Sequence, residues 1–272
     1  MDLAVSHSKA LRLFWWKGAP NFGDALSQIV VAHVSRREVA HSGAVGADLF
    51  AVGSILQIVR RRFTEGRKRR PVIWGSGLLH PTPRDFLPHV DFALLRGPIT
   101  ASLLGLKPAG FGDPGLLIAK ALGQAPERTD KIGLVPHYKQ VDDPAIQTLA
   151  DADPRIQLID VRDDPATVCG QIASCAHVFA SSLHGLITAD AYGVASTWAD
   201  PGEESHLKYH DYAASVGRPM VNPVTWGEIP GLLATLKSPA DLPWADGVAR
   251  AQSDLLNSFP AQLCAPTHAG AA

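Results

Sequence analysis

The sequence predicts an α/β fold in two halves, and three observations lead there. Short apolar runs alternate with helical patterns along most of the 272 residues. That alternation occurs twice, on either side of a polar, proline-containing stretch, LGQAPERTD at 122–130. Hydrophobic residues make up 46% of the chain and charged residues 19%, the balance of a packed interior rather than of a disordered chain. Strand–helix alternation implies parallel strands joined by crossover helices. Each half therefore reads as a Rossmann-like unit, residues 1–125 and 131–260, with a cleft between the two. In such sheets ligands gather beyond the carboxyl ends of the strands.

In the first half, LRLFWW (11–16) reads as a strand. GDALSQIVVAHVS (23–35) reads as a helix, because its apolar residues fall at helical rather than alternating spacing. DLFAVGS (48–54), PVIWGSG (71–77) and DFALLRG (91–97) are apolar and carry glycine at or near their ends, the pattern of buried strands running into turns. ITASLLG makes one or two helical turns, and AGFGDPGLL makes another strand end and turn. In the second half the strands are KIGLVPHY (131–138), IQLIDV, AHVFASS and VASTWAD. The helices between them are DPAIQTLADA, PATVCGQIASC and LHGLITADAYG. The first two start around a proline, which suits the first helical position. Residues 261–272, closing on CAPTHAGAA, read as a disordered tail.

A formal net charge of −1 gives no reason to expect a nucleic-acid partner. Cys169, Cys175 and Cys264 are odd in number and form no CxxC pair. They build neither a disulfide framework nor a zinc site and fit idle thiols in a reducing cytosol. The opening MDLAVSHSKALRLFWWKG lacks the charged-then-apolar order of a signal peptide. No apolar run approaches the ~20 residues of a membrane span. The expected location is therefore cytoplasmic. One segment stands apart: VRRRFTEGRKRR (59–70) holds seven Arg or Lys against one Glu. It reads first as a solvated face, and second as a basic lip for an anionic acceptor or for peripheral contact with the membrane's inner face. Aromatic residues for base stacking are nearly absent from it.

SSLHG (181–185) holds the densest chemistry. A strand ending here delivers Ser181 and Ser182 to a sheet edge and puts Leu183 and His184 in the first turn of a helix. That turn has free N–H groups and the positive end of the helix dipole, so it stabilises an anion, and His184 adds a proton donor beside it. Serine also caps helices for structural reasons alone. NFGD (Asn21, Phe22, Gly23, Asp24) occupies the matching turn of the first half, with Asp24 either a cap or a group facing the cleft. RGP puts Arg96 at the end of a buried strand, suited to a bidentate grip on carboxylate or phosphate. PHY puts His137 at another strand end. HLKYHDY sets Lys208 just before Tyr209, and His210 and Asp211 between Tyr209 and Tyr212, in what reads as a loop. There is no GxxxxGK[ST] loop, no GxGxxG after the first strand, no HExxH and no GxSxG elbow.

Taken in order, NFGD, VGS with WGSG, RGP, GDPGLL, IGLVPHY, SSLHGLITADAYGV and KYHDY resemble the polysaccharide pyruvyl transferase family. The likeness runs over roughly residues 12–217 and is nearest to the bacterial exopolysaccharide ketal-pyruvate transferases. It implies two Rossmann-like domains arranged as in GT-B glycosyltransferases, phosphoenolpyruvate as donor substrate, and no further cofactor or metal. The acceptor would be a sugar offering two hydroxyls, in one form a lipid-linked oligosaccharide repeat unit, and the product a pyruvate ketal. It implies donor contacts from Arg96, Ser182, Leu183, His184 and Lys208. His184 and Asp24 would be the acid–base pair, and Asn21, Gly23 and His137 would lie on the cleft or acceptor side. Two other functions fit the same residues: a GT-B glycosyltransferase with a nucleotide-sugar diphosphate at the same helix start, and a catalytically silent carbohydrate- or anion-binding subunit.

Overall fold

The computed structural model describes residues 10–123, 126–219, 222–236 and 242–266. Residues 267–272 of the expected tail lie outside them. The architecture is α/β with two sheets, and every ladder in them is parallel. The first half contains β1 (Leu11–Phe14), α1 (Phe22–Ser35), β2 (Val39–His41), β3 (Leu49–Phe50), α2 (Leu56–Arg62), β4 (Val72–Ser76), β5 (Asp91–Leu95), α3 (Pro98–Leu104) and α4 (Ile118–Leu122). The second contains β6 (Ile132–Val135), α5 (Pro144–Asp151), β7 (Ile156–Leu158), α6 (Pro165–Ser174), β8 (His177–Ala180), α7 (Leu183–Ala191) and β9 (Ala195–Trp198). It is followed by α8 (Leu207–Val216), α9 (Ile229–Leu232) and α10 (Ala245–Ser258). The five-stranded sheet has the order β2-β1-β3-β4-β5 and the four-stranded sheet the order β7-β6-β8-β9. Among the described residues no helix is long and apolar enough to cross a membrane.

Local chemistry explains the boundaries. Asn21 caps α1 by accepting from Gly23 N, and Pro98, Pro144 and Pro165 open α3, α5 and α6. β4, β6 and β8 are buried along their whole length, as strands covered on both faces must be. The strand expected at 48–54 keeps only Leu49–Phe50. Gly53 then turns at φ 109, a conformation closed to ordinary side chains. The expected loop at HLKYHDY is instead α8. Tyr209, Tyr212 and Val216 fall at helical spacing and are buried, as are Lys208, Asp211 and Ser215 one position before each. The basic run is also split. Its first arginines close α2, where they meet the negative end of the helix dipole, while Leu56 and Val59 anchor that helix inside. The edge strand β2 and the helix α10 have no counterpart in the predicted elements.

The two sheets share one hydrophobic core. Leu11, Leu13 and Trp74 of the first sheet belong to the same buried cluster as Val135 and Val178 of the second and Ile187 of α7. α7 runs through it with every residue from Leu183 to Asp190 buried. The last long helix, α10, returns to the first half, where Trp74 Nε1 donates to Leu255 O at 3.1 Å and Gln252 Nε2 to Leu116 O at 2.9 Å. Residues 261–266, expected in the tail, dock on the end of α1, with Ala265 N donating to Ser35 O at 2.7 Å.

The most buried polar link between the halves joins β5 and α3 to α8. α3 begins at Gly97, which has no capping side chain. Asp211 of α8 takes over that task, accepting from Thr100 N at 2.8 Å and Thr100 Oγ1 at 2.7 Å. The same carboxylate accepts from Arg96 Nε at 3.0 Å, with both side chains fully buried. Removing one partner of a buried pair strands the other charge. Asp211→Ala should therefore cost ~3–5 kcal/mol of stability, read as a lowered midpoint in urea denaturation.

Candidate active site

A cavity of about 340 Å³ opens where strands of both sheets end. Its walls come from the turns after β1 (Trp16, Asn21), β3 (Gly53, Ser54), β6 (His137, Tyr138) and β8 (Ser182), with α2 and α8 closing the sides. Seven residues singled out from the sequence line it: Asn21, Asp24, His137, Ser182, Leu183, His184 and Lys208. Arg96 and Gly23 are not among the lining residues.

The α7 wall begins at Ser182, whose hydroxyl accepts from Gly185 N at 3.3 Å and caps the helix. Ser182 also lines the cavity, so the capping and site readings coexist. The N–H groups of Leu183 and His184 have no acceptor within the helix. Ser181 is structural: it accepts from His137 N at 2.8 Å and donates to Gln140 Oε1 at 2.6 Å, tying the ends of β6 and β8 together. His184 is 8% exposed. Burial, followed by the charges of Arg96 and Lys208, pushes its pKa down to about 3, so the imidazole is neutral near pH 7. Gly23 gives it room, because a Cβ there would sit 2.3 Å from His184 Nδ1.

Asp24 stands on the opposite side, in the first turn of α1. The cap is Asn21, and Asp24 accepts from Asn21 Nδ2 at 2.7 Å. Burial raises its pKa to about 7; the Asn21 bond and the charge of Lys208 oppose the shift without cancelling it. A carboxyl near 7 is poised both to take and to give a proton.

Lys208 projects from α8 and donates to Glu204 Oε2 at 3.0 Å. Burial lowers its pKa, and Glu204 works against that shift. Glu204 also accepts from Lys139 Nζ at 2.8 Å. Burial pushes this carboxyl up, but the two lysines overcome it and hold it at about 2. His137 Nε2 lies 3.9 Å from Glu204 Oε2. Burial and then Lys208 bring its pKa down to about 4.

Arg96 lies one layer behind. It is fully buried and donates to Asp211, to Ser54 Oγ at 2.6 Å and to Leu78 O at 3.0 Å. It reaches the cavity through Ser54 and through its charge, rather than through the open fork expected of it. The basic run contributes Arg61 to the wall. Arg60, Arg69 and Arg70 are paired with Asp85, Asp48 and Asp91, as a solvated face would be.

Sequence reasoning missed Ser54, Glu204, Trp16 and Tyr138 as lining residues. It quoted GDPGLL without giving Asp113 a role, although Asp113 is fully buried and its Oδ1 lies 3.9 Å from His184 Nε2. The fixed order of the motifs was the available signal for Asp113, and none marked Glu204. Among the described residues no group of three or more His, Cys, Asp or Glu could hold a metal ion.

The pKa of Asp24 generates a prediction with a definite sign. Its folded value, about 7, lies above the ordinary carboxyl value of 3.8, so ionising it costs stability. The cost is absent below about pH 4, grows as pH rises, and is complete above about pH 7. Asp24→Asn should therefore stabilise the fold by roughly 1–3 kcal/mol at pH 8, with the gain shrinking toward pH 5. Chemical denaturation at the two pH values measures it; a gain that is equal at both would contradict the raised pKa.

Comparison with known proteins now bears on this geometry. The family model for polysaccharide pyruvyl transferase matches residues 4–201. An uncharacterized protein, L143, of Acanthamoeba polyphaga mimivirus is 29% identical over 163 residues, covering 55% of this chain and 56% of that protein. The succinoglycan biosynthesis protein ExoV of Rhizobium meliloti (strain 1021) is 28% identical over 185 residues, 65% of this chain and 57% of that protein. The chain thus matches little more than half the length of these relatives. A functionally uncharacterized protein, KP1_0663, from Klebsiella pneumoniae subsp. pneumoniae NTUH-K2044 superposes with a TM-score of 0.45 at 12% identity, over 80% of this chain and 93% of that one. The family model spans well over half of the chain, and its motifs are the turns that build the cavity: the chain belongs to the polysaccharide pyruvyl transferase family.

Proposed function

We propose that this protein transfers the pyruvyl group of phosphoenolpyruvate to two hydroxyls of a sugar residue, forming a pyruvate ketal in the synthesis of an exopolysaccharide or cell-surface glycan. On this reading the sheets are the cores of two Rossmann-like domains, residues 1–125 and 131–260, facing one another in the GT-B manner. The observation that carries the reading is the opposition across one cavity. The α7 N-terminus, His184 and Lys208 stand on the second-half wall, and Asp24, with a pKa near 7, stands on the other.

Phosphoenolpyruvate carries a phosphate of about −1.5 to −2 charge and a carboxylate. The free N–H groups of Leu183 and His184 and the Lys208 ammonium suit such a ligand. Arg96, one layer back, adds positive potential and steers Ser54. The sugar lies toward Asn21, Asp24 and His137, with Trp16 and Tyr138 offering aromatic faces and Arg61 a cation for an anionic acceptor such as a lipid-linked repeat unit. Protonation of the enol methylene carbon creates an oxocarbenium-like centre. One sugar hydroxyl attacks it and passes its proton to Asp24, phosphate leaves with the C–O bond pair, and the second hydroxyl closes the ketal as its proton passes to the departing phosphate. His184 supplies the first proton.

The decisive experiment is a melting series with phosphoenolpyruvate, inorganic phosphate, pyruvate, UDP-glucose and GDP-mannose. A ligand that binds only the folded state adds ~2.7 kcal/mol at a hundredfold excess over Kd, a shift of several degrees at ~2–4 °C per kcal/mol. Phosphoenolpyruvate should give the largest shift and phosphate a smaller one. Stabilisation by a nucleotide sugar alone would favour glycosyl transfer instead. In a ketal-formation assay His184→Ala should lose ~10²–10⁴-fold in turnover while its fold is retained; near-full activity would remove His184 from the acid role.

A further inference from the structure

We infer that Asp113 and His184 act as one acid–base couple, in which the Asp113 carboxylate keeps the proton on His184 Nε2 and leaves Nδ1 to exchange protons with the ligand. The catalytic use of the couple rests on the proposed pyruvyl transfer; its geometry does not.

Two orphaned atoms lead to it. His184 Nε2 and Asp113 Oδ2 are both sealed from solvent, and neither has a hydrogen-bond partner. Buried polar groups are nearly always paired, and leaving one unpaired costs ~1–3 kcal/mol. Here the two orphans belong to neighbouring side chains, and the approach between them is from His184 Nε2 to Asp113 Oδ1 at 3.9 Å, the oxygen beside the orphaned Oδ2. A closure of about 1 Å would bring that contact to hydrogen-bond length. Asp113 is fixed: its Oδ1 accepts from Gly115 N at 2.9 Å and caps the 3₁₀ turn Pro114–Leu117. The imidazole is confined as well. A Cβ on Gly23 would lie 2.3 Å from Nδ1, and one on Gly115 would lie 3.7 Å from Cδ2. The ring therefore presents Nε2 to Asp113 and Nδ1 to the α1 turn that carries Asp24.

The charged surroundings favour a single shared proton. Asp113 faces Arg96, Asp211 and Tyr212, and His184 faces Arg96 and Lys208; the charge of Asp113 also reaches Asp24. Burial raises Asp113 to about 6 and lowers His184 to about 3, so at pH 7.5 Asp113 is ionised and the ring neutral, and a carboxylate beside the ring favours the proton on Nε2. In the proposed reaction the imidazolium carries protons on both nitrogens. Nδ1 gives its proton to the enol methylene carbon, whose π pair becomes the new C–H bond. The ring returns to the neutral Nε2–H form, and Asp113 stays ionised.

Long-range ¹H–¹⁵N NMR of the whole chain at pH 7.5 tests this, with His184→Gln assigning the signal. Wild type should show the Nε2–H tautomer at His184. Asp113→Asn keeps Oδ1 for Gly115 N but removes the negative charge that holds the Nε2 proton, so the His184 population should shift toward the Nδ1–H tautomer. Its turnover should fall at least ~10²-fold, with the phosphoenolpyruvate melting shift retained. A wild-type Nδ1–H tautomer overturns the couple, even if the variant does not fold. An unchanged tautomer or near-wild-type turnover in Asp113→Asn also overturns it. An Nε2–H tautomer that switches in the variant, in a protein that binds no phosphoenolpyruvate, upholds the pairing and removes pyruvyl transfer instead.

Discussion

The Asp211 carboxylate is the point on which the site depends. It terminates three obligations at once: the uncapped start of α3, the hydroxyl of Thr100 and the buried guanidinium of Arg96. Because it projects from α8, it fixes where that helix lies against the first sheet. Lys208 sits three residues earlier, close to one turn, and inherits that placement. The approach is close enough that a Cβ on Gly97 would lie 2.0 Å from Asp211 O. The same pair also sets the field in the cavity, since Arg96 lowers the pKa values of both His184 and Asp113. One ion pair thus serves as cap, inter-sheet tie and electrostatic source.

A buried ion pair is weak evidence for stability in itself, since well-packed apolar residues often do as well. Its worth here is positional. An apolar replacement would leave α3 uncapped and Ser54 without its donor at 2.6 Å. The carboxyls around it show the complementary pattern. Asp24 and Asp113 are held well above 3.8 by burial, so the fold bears a cost at high pH in the place where proton transfer would need it. Stability given up at a site and recovered in a shared core is a common arrangement in enzymes.

Much of the fold was legible because its signals are local. Apolar runs, glycine ends and proline starts marked eight of the nine strands and most of the crossover helices. The shortest strands were overread: 48–54 looked apolar throughout, but Gly53 turns the chain and delivers Ser54 to the cavity instead. α8 was misread as a loop because its buried face is Lys208, Asp211 and Ser215 beside the tyrosines, and a polar stripe hides helical periodicity. The site was legible where it lies in strand-to-helix turns, as Asp24, Ser182 and His184 do. Glu204 and Ser54 come from irregular loops, and only tertiary packing brings them in. Arg96 was legible as buried and strand-terminal, but its partners were not, since Asp211 is 115 residues away.

A histidine with a pKa of about 3 looks unsuited to donate a proton at neutral pH, and burial beside Arg96 and Lys208 does hold it neutral. The proposed donor reverses that balance. Two unit charges about 4 Å apart interact by ~4 kcal/mol at an effective dielectric of 20, which is about three pKa units at 1.36 kcal/mol each. A negative charge beside His184 would therefore raise its pKa, and the second charge of a phosphate would raise it further. The same ligand would offset the charge of Lys208, which with Arg96 depresses the histidine. On the proposed reading, donor binding and proton uptake would be one event, and the acid would be made only when there is something for it to protonate. The buried cations proposed to attract the donor would then also be what keeps the acid off without it.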